Sequence, residues 1–349
     1  MKIDRRFIWI NGVLAVALPL AGISLALASR QKDISERSIE FSEKINFVIP
    51  EASSNVRIWI PIPKNDPYQN VKLLSLKAPT SHQITQDSVF GNSFIYIESP
   101  SSIKNNILEI KSIYKIVRKE QRGGETAEGI SDSALSDYLL PRGLEVINEN
   151  IRKISEETIR GKSRPMDKAR EIYQYVLKHM SYDKSGEGWG RGDSLYACDI
   201  GKGNCTDFHS LFIVLARASR IPARFQMGIP LPNSREGEPS GNYHCWAEFY
   251  IEEKGWIPVD ISEAWKNPDK AEYFFGNLDE NRILLSTGRE ILLSPEQAEA
   301  PLNYLSKPYI EIDGKPLNDF QLERRFKNSD QLSAVSRQQT AVKGGSKKP

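Results

Sequence analysis

The sequence predicts an α+β chain in which a β-sandwich-like region precedes a core where one helix packs on an antiparallel sheet. Three observations carry this: strand-like alternation between Ser38 and Lys119, helical periodicity that begins only after Pro141, and a return to alternation from His244 onward. At 349 residues there is material for two modest domains or one large one. Lys and Arg number 47 against 45 Asp and Glu, a net charge of +2, with the basic residues scattered. That balance points to no nucleic-acid partner.

In chain order, "MKIDRR" is a basic start, followed by the apolar run Phe7 to Ala28. We read residues 1–28 as a signal peptide, because Pro19, Gly22 and the Ala26-x-Ala28 pattern favour cleavage; a membrane anchor is the alternative. Arg5 and Arg6 match a twin-arginine signal in part. Either way the chain is expected to be exported, to the periplasm or the extracellular space, or anchored to the inner membrane through this segment alone.

Residues 35–120 read as a β domain. Val56, Ile58, Ile60 and Ile62 alternate with Arg57 and Trp59, and turn residues recur at sandwich spacing. The polar, Gly-rich residues 121–140 read as a linker. Residues 141–290 form the expected catalytic domain. Its helices include one ending near Gly161 and one starting near Pro165, the latter with Ala169, Ile172, Tyr173, Val176 and Leu177 at core spacing. Residues 291–326 are expected to add a C-terminal β extension packed back on that domain, and 327–349 a disordered tail.

Within the catalytic domain, "GNCTDFHSLF" sets Cys205 at the start of an amphipathic helix with Phe208, Leu211, Phe212, Leu215 and Ala218 as its stripe. A helix N-terminus favours a thiolate, and its free N–H groups favour an oxyanion. A thiolate needs a general acid, and four histidines are present. His82 and His179 fall in structural settings, and His209, one turn after Cys205, reads as a packing residue with a hydrogen bond.

In "YHCWAEFYIEEKGWIPVD", Cys245, Ala247, Phe249 and Ile251 form the apolar face, and His244, Trp246, Glu248 and Tyr250 the other. An even-sum hairpin register puts Asp260 on the face of His244, where a carboxylate orients the imidazole. Export leaves the cysteines open to two readings: Cys198 and Cys245 joined in a disulfide with Cys205 free, or three independent buried thiols.

These blocks resemble the core of the transglutaminase-like superfamily, which is similar to papain-like cysteine proteases. The resemblance covers about Tyr173 to Trp265. It implies a catalytic Cys205, His244 and Asp260, with Gly203, Asp207, Phe208, the "RIPAR" turn, Trp246 and Trp256 in the surrounding pattern. Tyr182 or Trp189 is then a candidate second oxyanion donor. The implied activity is acyl transfer on a protein or peptide substrate, by hydrolysis or amine transfer, with a non-catalytic scaffold of the same fold as the alternative. Zinc held by Cys198, Cys205, His209 and His244 lacks a CxxC pair or HExxH, and no DxDxDG loop is present, so no metal or other cofactor is expected.

Overall fold

This computed structural model describes residues 34–50, 53–100, 107–124 and 131–329. The signal peptide expected over 1–28 falls outside them, as do residues 330–349 of the expected tail and 125–130 of the expected linker. Six strands come first: β1 (Glu36–Val48), β2 (Asn55–Pro61), β3 (Gln69–Lys77), β4 (Gln83–Gln86), β5 (Ser93–Pro100) and β6 (Ile107–Lys119). Next are β7 (Gln121–Arg122), α1 (Asp132–Asp137), α2 (Glu149–Thr158), α3 (Pro165–His179), β8 (Ser181–Tyr182), α4 (Ser194–Ile200), β9 (Lys202–Gly203) and α5 (Cys205–Ala218). The remainder comprises β10 (Ala223–Pro230), β11 (Glu236–Gly237), β12 (His244–Ile251), β13 (Gly255–Val259), α6 (Ile261–Lys266), β14 (Asn277–Leu278), β15 (Arg282–Thr287), β16 (Tyr309–Ile312), β17 (Lys315–Pro316) and β18 (Gln321–Asn328).

Two five-stranded sheets, β11-β18-β1-β6-β3 and β17-β16-β2-β5-β4, face each other across a shared core. That core takes Ile45, Phe47 and Ile110 from one sheet and Val56, Ile58 and Ile97 from the other. Strand period puts every second residue of β1 on one face, and its 13 residues make that face long enough for two tasks. Ile45 and Phe47 fill the sandwich, whereas Ile39 and Phe41 pack with Ile229 and Leu285 of the other sheet-bearing core.

The C-terminal pieces correct the expected boundaries. β18 pairs antiparallel with β1, Phe326 opposite Phe41, and β16 pairs with β2, Ile310 opposite Ile58. Residues 309–328 therefore complete the sandwich, whereas Asn303 and Tyr304 pack back on the catalytic domain against Arg191 and Tyr243, and Lys327 and Asn328 belong to a strand, not to a tail. The expected linker also contains structure. β7 pairs with β14, and the buried Gln121 Nε2 donates to Glu248 at 2.8 Å. A side chain committed to a buried carboxylate cannot belong to a free connector.

The second core is the sheet β13-β12-β10-β15 with α5 packed across β12 and β10. α2, α3 and α4 pack against α5 in turn. Every residue from Cys205 to Arg217 is buried, so α5 is a central helix and not the amphipathic one its apolar stripe predicts. Its polar residues are satisfied at long range. Arg217 Nη1 donates to Glu145 at 2.7 Å, and Ser210 Oγ accepts from Arg289. Burial of Phe208, Leu211, Phe212 and Leu215 contributes about 1.5–3 kcal/mol each. Among the described residues no helix is long and apolar enough to cross a membrane.

Candidate active site

Asn204 caps α5. Its Oδ1 accepts the Thr206 N–H at 2.9 Å, and Asp207 Oδ2 accepts the Asn204 N–H at 2.9 Å, a reciprocal capping box. Asp207 also accepts the N–H groups of Gly190 at 2.7 Å and Gly192 at 2.9 Å, which pins the glycine-rich loop to the start of the helix. Gly203 has φ +154°, and a Cβ there would strike the Asp207 carboxylate, so only glycine lets the chain turn into this cap. The cap leaves Cys205 as the first helical residue, with its backbone N–H free of intrahelical bonding.

His244 opens β12, and Asp260 follows the end of β13 as the N-cap of α6. The β12–β13 hairpin pairs Ala247 with Val259 and Tyr250 with Trp256, the even-sum register that sets Asp260 on the His244 face. His244 Nε2 lies 2.6 Å from Asp260 Oδ2. That leaves Nδ1 as the ring nitrogen available to Cys205, with which His244 makes a side-chain hydrogen bond. The structure thus brings Cys205, His244 and Asp260 together.

Asp260 is held by more than histidine. Arg282 Nη1 donates to Oδ2 at 2.8 Å, while the Ser262 hydroxyl and the Glu263 N–H donate to Oδ1 at 3.1 Å each. Burial favours a neutral carboxyl, but the charges of His244 and Arg282 and the hydrogen bond from His244 hold Asp260 well below the usual carboxylate range. Burial likewise opposes protonation of His244, yet Asp260 and Cys205 outweigh it and raise the imidazole to about 10. For Cys205 the largest influence is a hydrogen bond from the Cys245 side chain. His244 adds to it, burial opposes it, and the thiol is pushed well below 9.0. Together these are the conditions for a thiolate–imidazolium pair.

The remaining predicted residues divide. Tyr182, in β8, has Lys266 Nζ 4.1 Å from its ring centroid and interacts electrostatically with Cys205. Trp189 sits in the glycine-rich loop, with Lys184 5.8 Å from its ring. Cys198 and Cys245 are not bonded, and all three cysteines are buried free thiols. The physical reason is separate surroundings: the Cys198 sulfur faces Asn150 Nδ2 at 3.9 Å, whereas the Cys245 sulfur faces His209 and Thr206. His179 is structural, stacked on Tyr175 and bonded to the Cys198 carbonyl at 2.8 Å. Among the described residues no group of three or more His, Cys, Asp or Glu is arranged to hold a metal ion.

Sequence reasoning missed Arg282, which has no local signal because it lies on a different strand from Asp260, and Tyr243, whose hydroxyl accepts from Asn204 Nδ2 at 2.9 Å. Tyr243 directly precedes His244, so its place beside the site could have been read from that adjacency. It stacks obliquely on Tyr304, 5.8 Å between centroids, and both rings line a cavity of about 690 Å³ that reaches Phe320 and Arg324.

Residues 152–261 match the sequence profile of the transglutaminase-like superfamily, a span that contains Cys205, His244 and Asp260. An uncharacterised protein of Haemophilus influenzae is 28% identical over 330 residues, covering 80% of this chain and 87% of that protein. The uncharacterised protein YebA of Bacillus subtilis is 24% identical over 207 residues, 55% of this chain but 26% of its own length. A crystal structure of a Cytophaga hutchinsonii protein, provisionally named a cysteine protease, superposes with a TM-score of 0.54 at 16% identity, covering 83% of this chain and 90% of the other. At that identity the likeness is one of fold.

Proposed function

We propose that this chain, a member of the transglutaminase-like superfamily, is a thiol acyl-transfer enzyme acting on amide bonds of a protein or peptide substrate. The observation that supports it most is the buried chain Cys205–His244–Asp260 at the capped start of α5. In this reading the Cys205 thiolate attacks the amide carbonyl carbon, and the oxyanion is met by the Cys205 N–H and the Tyr182 hydroxyl. The tetrahedral adduct collapses as His244 gives its proton to the leaving amine, and a thioester on Cys205 remains. Neutral His244 then takes a proton from water or from an acceptor amine as that nucleophile attacks the thioester. The products are an acid or a new amide, and the thiolate–imidazolium pair is restored.

Arg282 keeps Asp260 charged while the histidine cycles, because a guanidinium stays protonated throughout. The cavity bounded by Tyr243 and Tyr304 is the expected seat for the substrate flanking the scissile bond. The basic start and apolar run of the N-terminus support a place outside the cytoplasm, which cell fractionation with N-terminal sequencing tests directly.

The test of activity is to incubate the purified, reduced protein with glutamine-containing peptides, with and without a primary amine, and follow intact mass. A thioester adduct on Cys205, absent in Cys205→Ala, is expected, and turnover should fall by about 10⁴-fold or more in that variant. Release of free acid identifies hydrolysis, and incorporation of the amine identifies transfer. An unmodified Cys205 across a broad peptide set, with neither product formed, contradicts the proposal.

A further inference from the structure

Two titratable side chains beside the nucleophile have no role in the triad. Cys245 and His209 are both wholly buried, Cys245 on β12 next to His244 and His209 one helical turn after Cys205 on α5. Their hydrogen bonds run in a definite direction. The Ile261 backbone N–H, which can only donate, lies 3.1 Å from His209 Nε2, so Nε2 must present its lone pair. The neutral ring therefore carries its proton on Nδ1, and Nδ1 is 3.6 Å from the Cys245 sulfur. Neutrality fits the site, since burial lowers His209 to about 4.

This direction constrains Cys245. His209 Nδ1 carries a proton, which faces both the Cys245 sulfur and the Cys205 backbone carbonyl, so the Cys245 S–H cannot point there. Two acceptors remain: Thr206 Oγ1, at 3.9 Å the far limit for a sulfur hydrogen bond, and the Cys205 sulfur, with which Cys245 makes both side-chain and backbone hydrogen bonds. A charged acceptor strengthens a hydrogen bond about twofold over a neutral one, which selects Cys205. Burial and the neighbouring Cys205 charge push the Cys245 thiol well above 9.0, so it keeps the proton it donates.

We propose that Cys245 is a hydrogen-bond donor to the nucleophile, giving the Cys205 sulfur both its S–H and its backbone N–H, with His209 as the positioning residue that aims the S–H. The relay runs from the Ile261 N–H through His209 and Cys245 to Cys205. It enters from the sheet side of the sulfur as a support separate from His244. It does not depend on the protonation state of His244, because neither Cys245 nor His209 takes part in the proton transfers of the triad. This inference rests on the acyl-transfer reading of Cys205 given above.

The test is the pH dependence of iodoacetamide alkylation at Cys205, mapped by mass spectrometry on the purified, reduced full chain. The variants are Cys245→Ala, Cys245→Ser and His209→Gln. The other groups facing Cys205 are His244 with Asp260 and Arg282 behind it, Asp207 on its own helix, Tyr182 from β8, and Tyr243 and Tyr304. The three tyrosines are raised above 10 and remain protonated through the window of interest. Cys245→Ala should move the alkylation midpoint upward, lowering the rate on the acidic side about tenfold per unit of midpoint shift. Cys245→Ser, which keeps an O–H donor, should return it toward wild type, and His209→Gln should move it part of the way up.

Each variant is compared only if it melts within a few degrees of wild type, so the alanine and serine pair carries the test even if His209→Gln does not fold. An unchanged midpoint in folded Cys245→Ala, or a serine variant that behaves like alanine, overturns the proposal. Those results leave the triad intact provided the wild-type midpoint is depressed and rises in His244→Ala. A wild-type midpoint near 9.0 would instead sink the acyl-transfer reading itself.

Discussion

His244 and Glu248 stand four residues apart on the same face of β12, both buried, and their surroundings treat charge in opposite ways. Glu248 Oε2 accepts from Arg224 Nε and Gln226 Nε2 at 2.6 Å each, and Oε1 accepts from Gln121. Burial favours its neutral form, but Arg224 and the two amides hold it below the usual carboxylate range. None of those donors can take up or release a proton near neutral pH, so the charge of Glu248 is locked. His244 has on one side a carboxylate fixed by Arg282, and on the other a thiol that itself titrates. One network is closed and structural, whereas the other ends in a group able to exchange its proton. Burial and ion pairing alone do not make a site; a titratable partner at the end of the chain does.

The sharpest way to break this contrast is at the carboxylate. Asp260→Asn removes the charge that raises His244 to about 10, so the alkaline limb of turnover should move down toward the ordinary imidazole range. A pH–rate profile checks this, and an unmoved limb would mean that Asp260 does not set the histidine. Glu248→Gln should do the reverse: a loss of about 1–3 kcal/mol in stability, from a broken buried charge network, with the Cys205 alkylation profile unchanged. Thermal melts and alkylation on the same sample separate the two effects. Cys198→Ala should change least, costing about 1 kcal/mol and leaving the alkylation profile as in wild type, because its sulfur touches Asn150 and not the triad.

The same contrast predicts how stability depends on pH. In the unfolded chain His244 titrates at 6.5 and Cys205 at 9.0, while in the folded chain the imidazole is raised to about 10 and the thiol lowered. Between 6.5 and 9.0 the unfolded pair holds one proton on sulfur and the folded pair holds one on the ring, so the pair adds no slope. Below 6.5 the unfolded histidine binds a further proton and stability falls as pH falls. Above 9.0 the unfolded pair holds none while the folded ring keeps its proton until about 10, and stability falls as pH rises. Wild type minus the double variant Cys205→Ala, His244→Ala, measured by denaturant titration across pH, should therefore show a plateau between these limits.

Much of the site was legible because its determinants are local. The capped start of α5 is written in Asn204 and Asp207 just ahead of a long apolar stripe, and the joining of His244 to Asp260 follows from strand period and hairpin parity. What stayed hidden depends on residues far apart in the chain. Arg282 reaches Asp260 from another strand, and Arg217 and Ser210 look like the polar face of a surface helix until Glu145 and Arg289 arrive to cover them. Likewise β18 carries the alternation of a strand, but nothing in its composition says that it pairs with β1 at the opposite end of the chain. Pairing partners at that separation are chosen by the assembled core, not by the segment.

The central claim is that Cys205 is a thiolate held by His244, and the most direct measurement of it is the rate of Cys205 alkylation by iodoacetamide against pH in wild type and in His244→Ala. The account predicts a wild-type midpoint well below 9.0 that rises toward that value when the imidazole is removed. A Cys205 that stays inert after mild reduction, or whose midpoint is the same with and without His244, would contradict it.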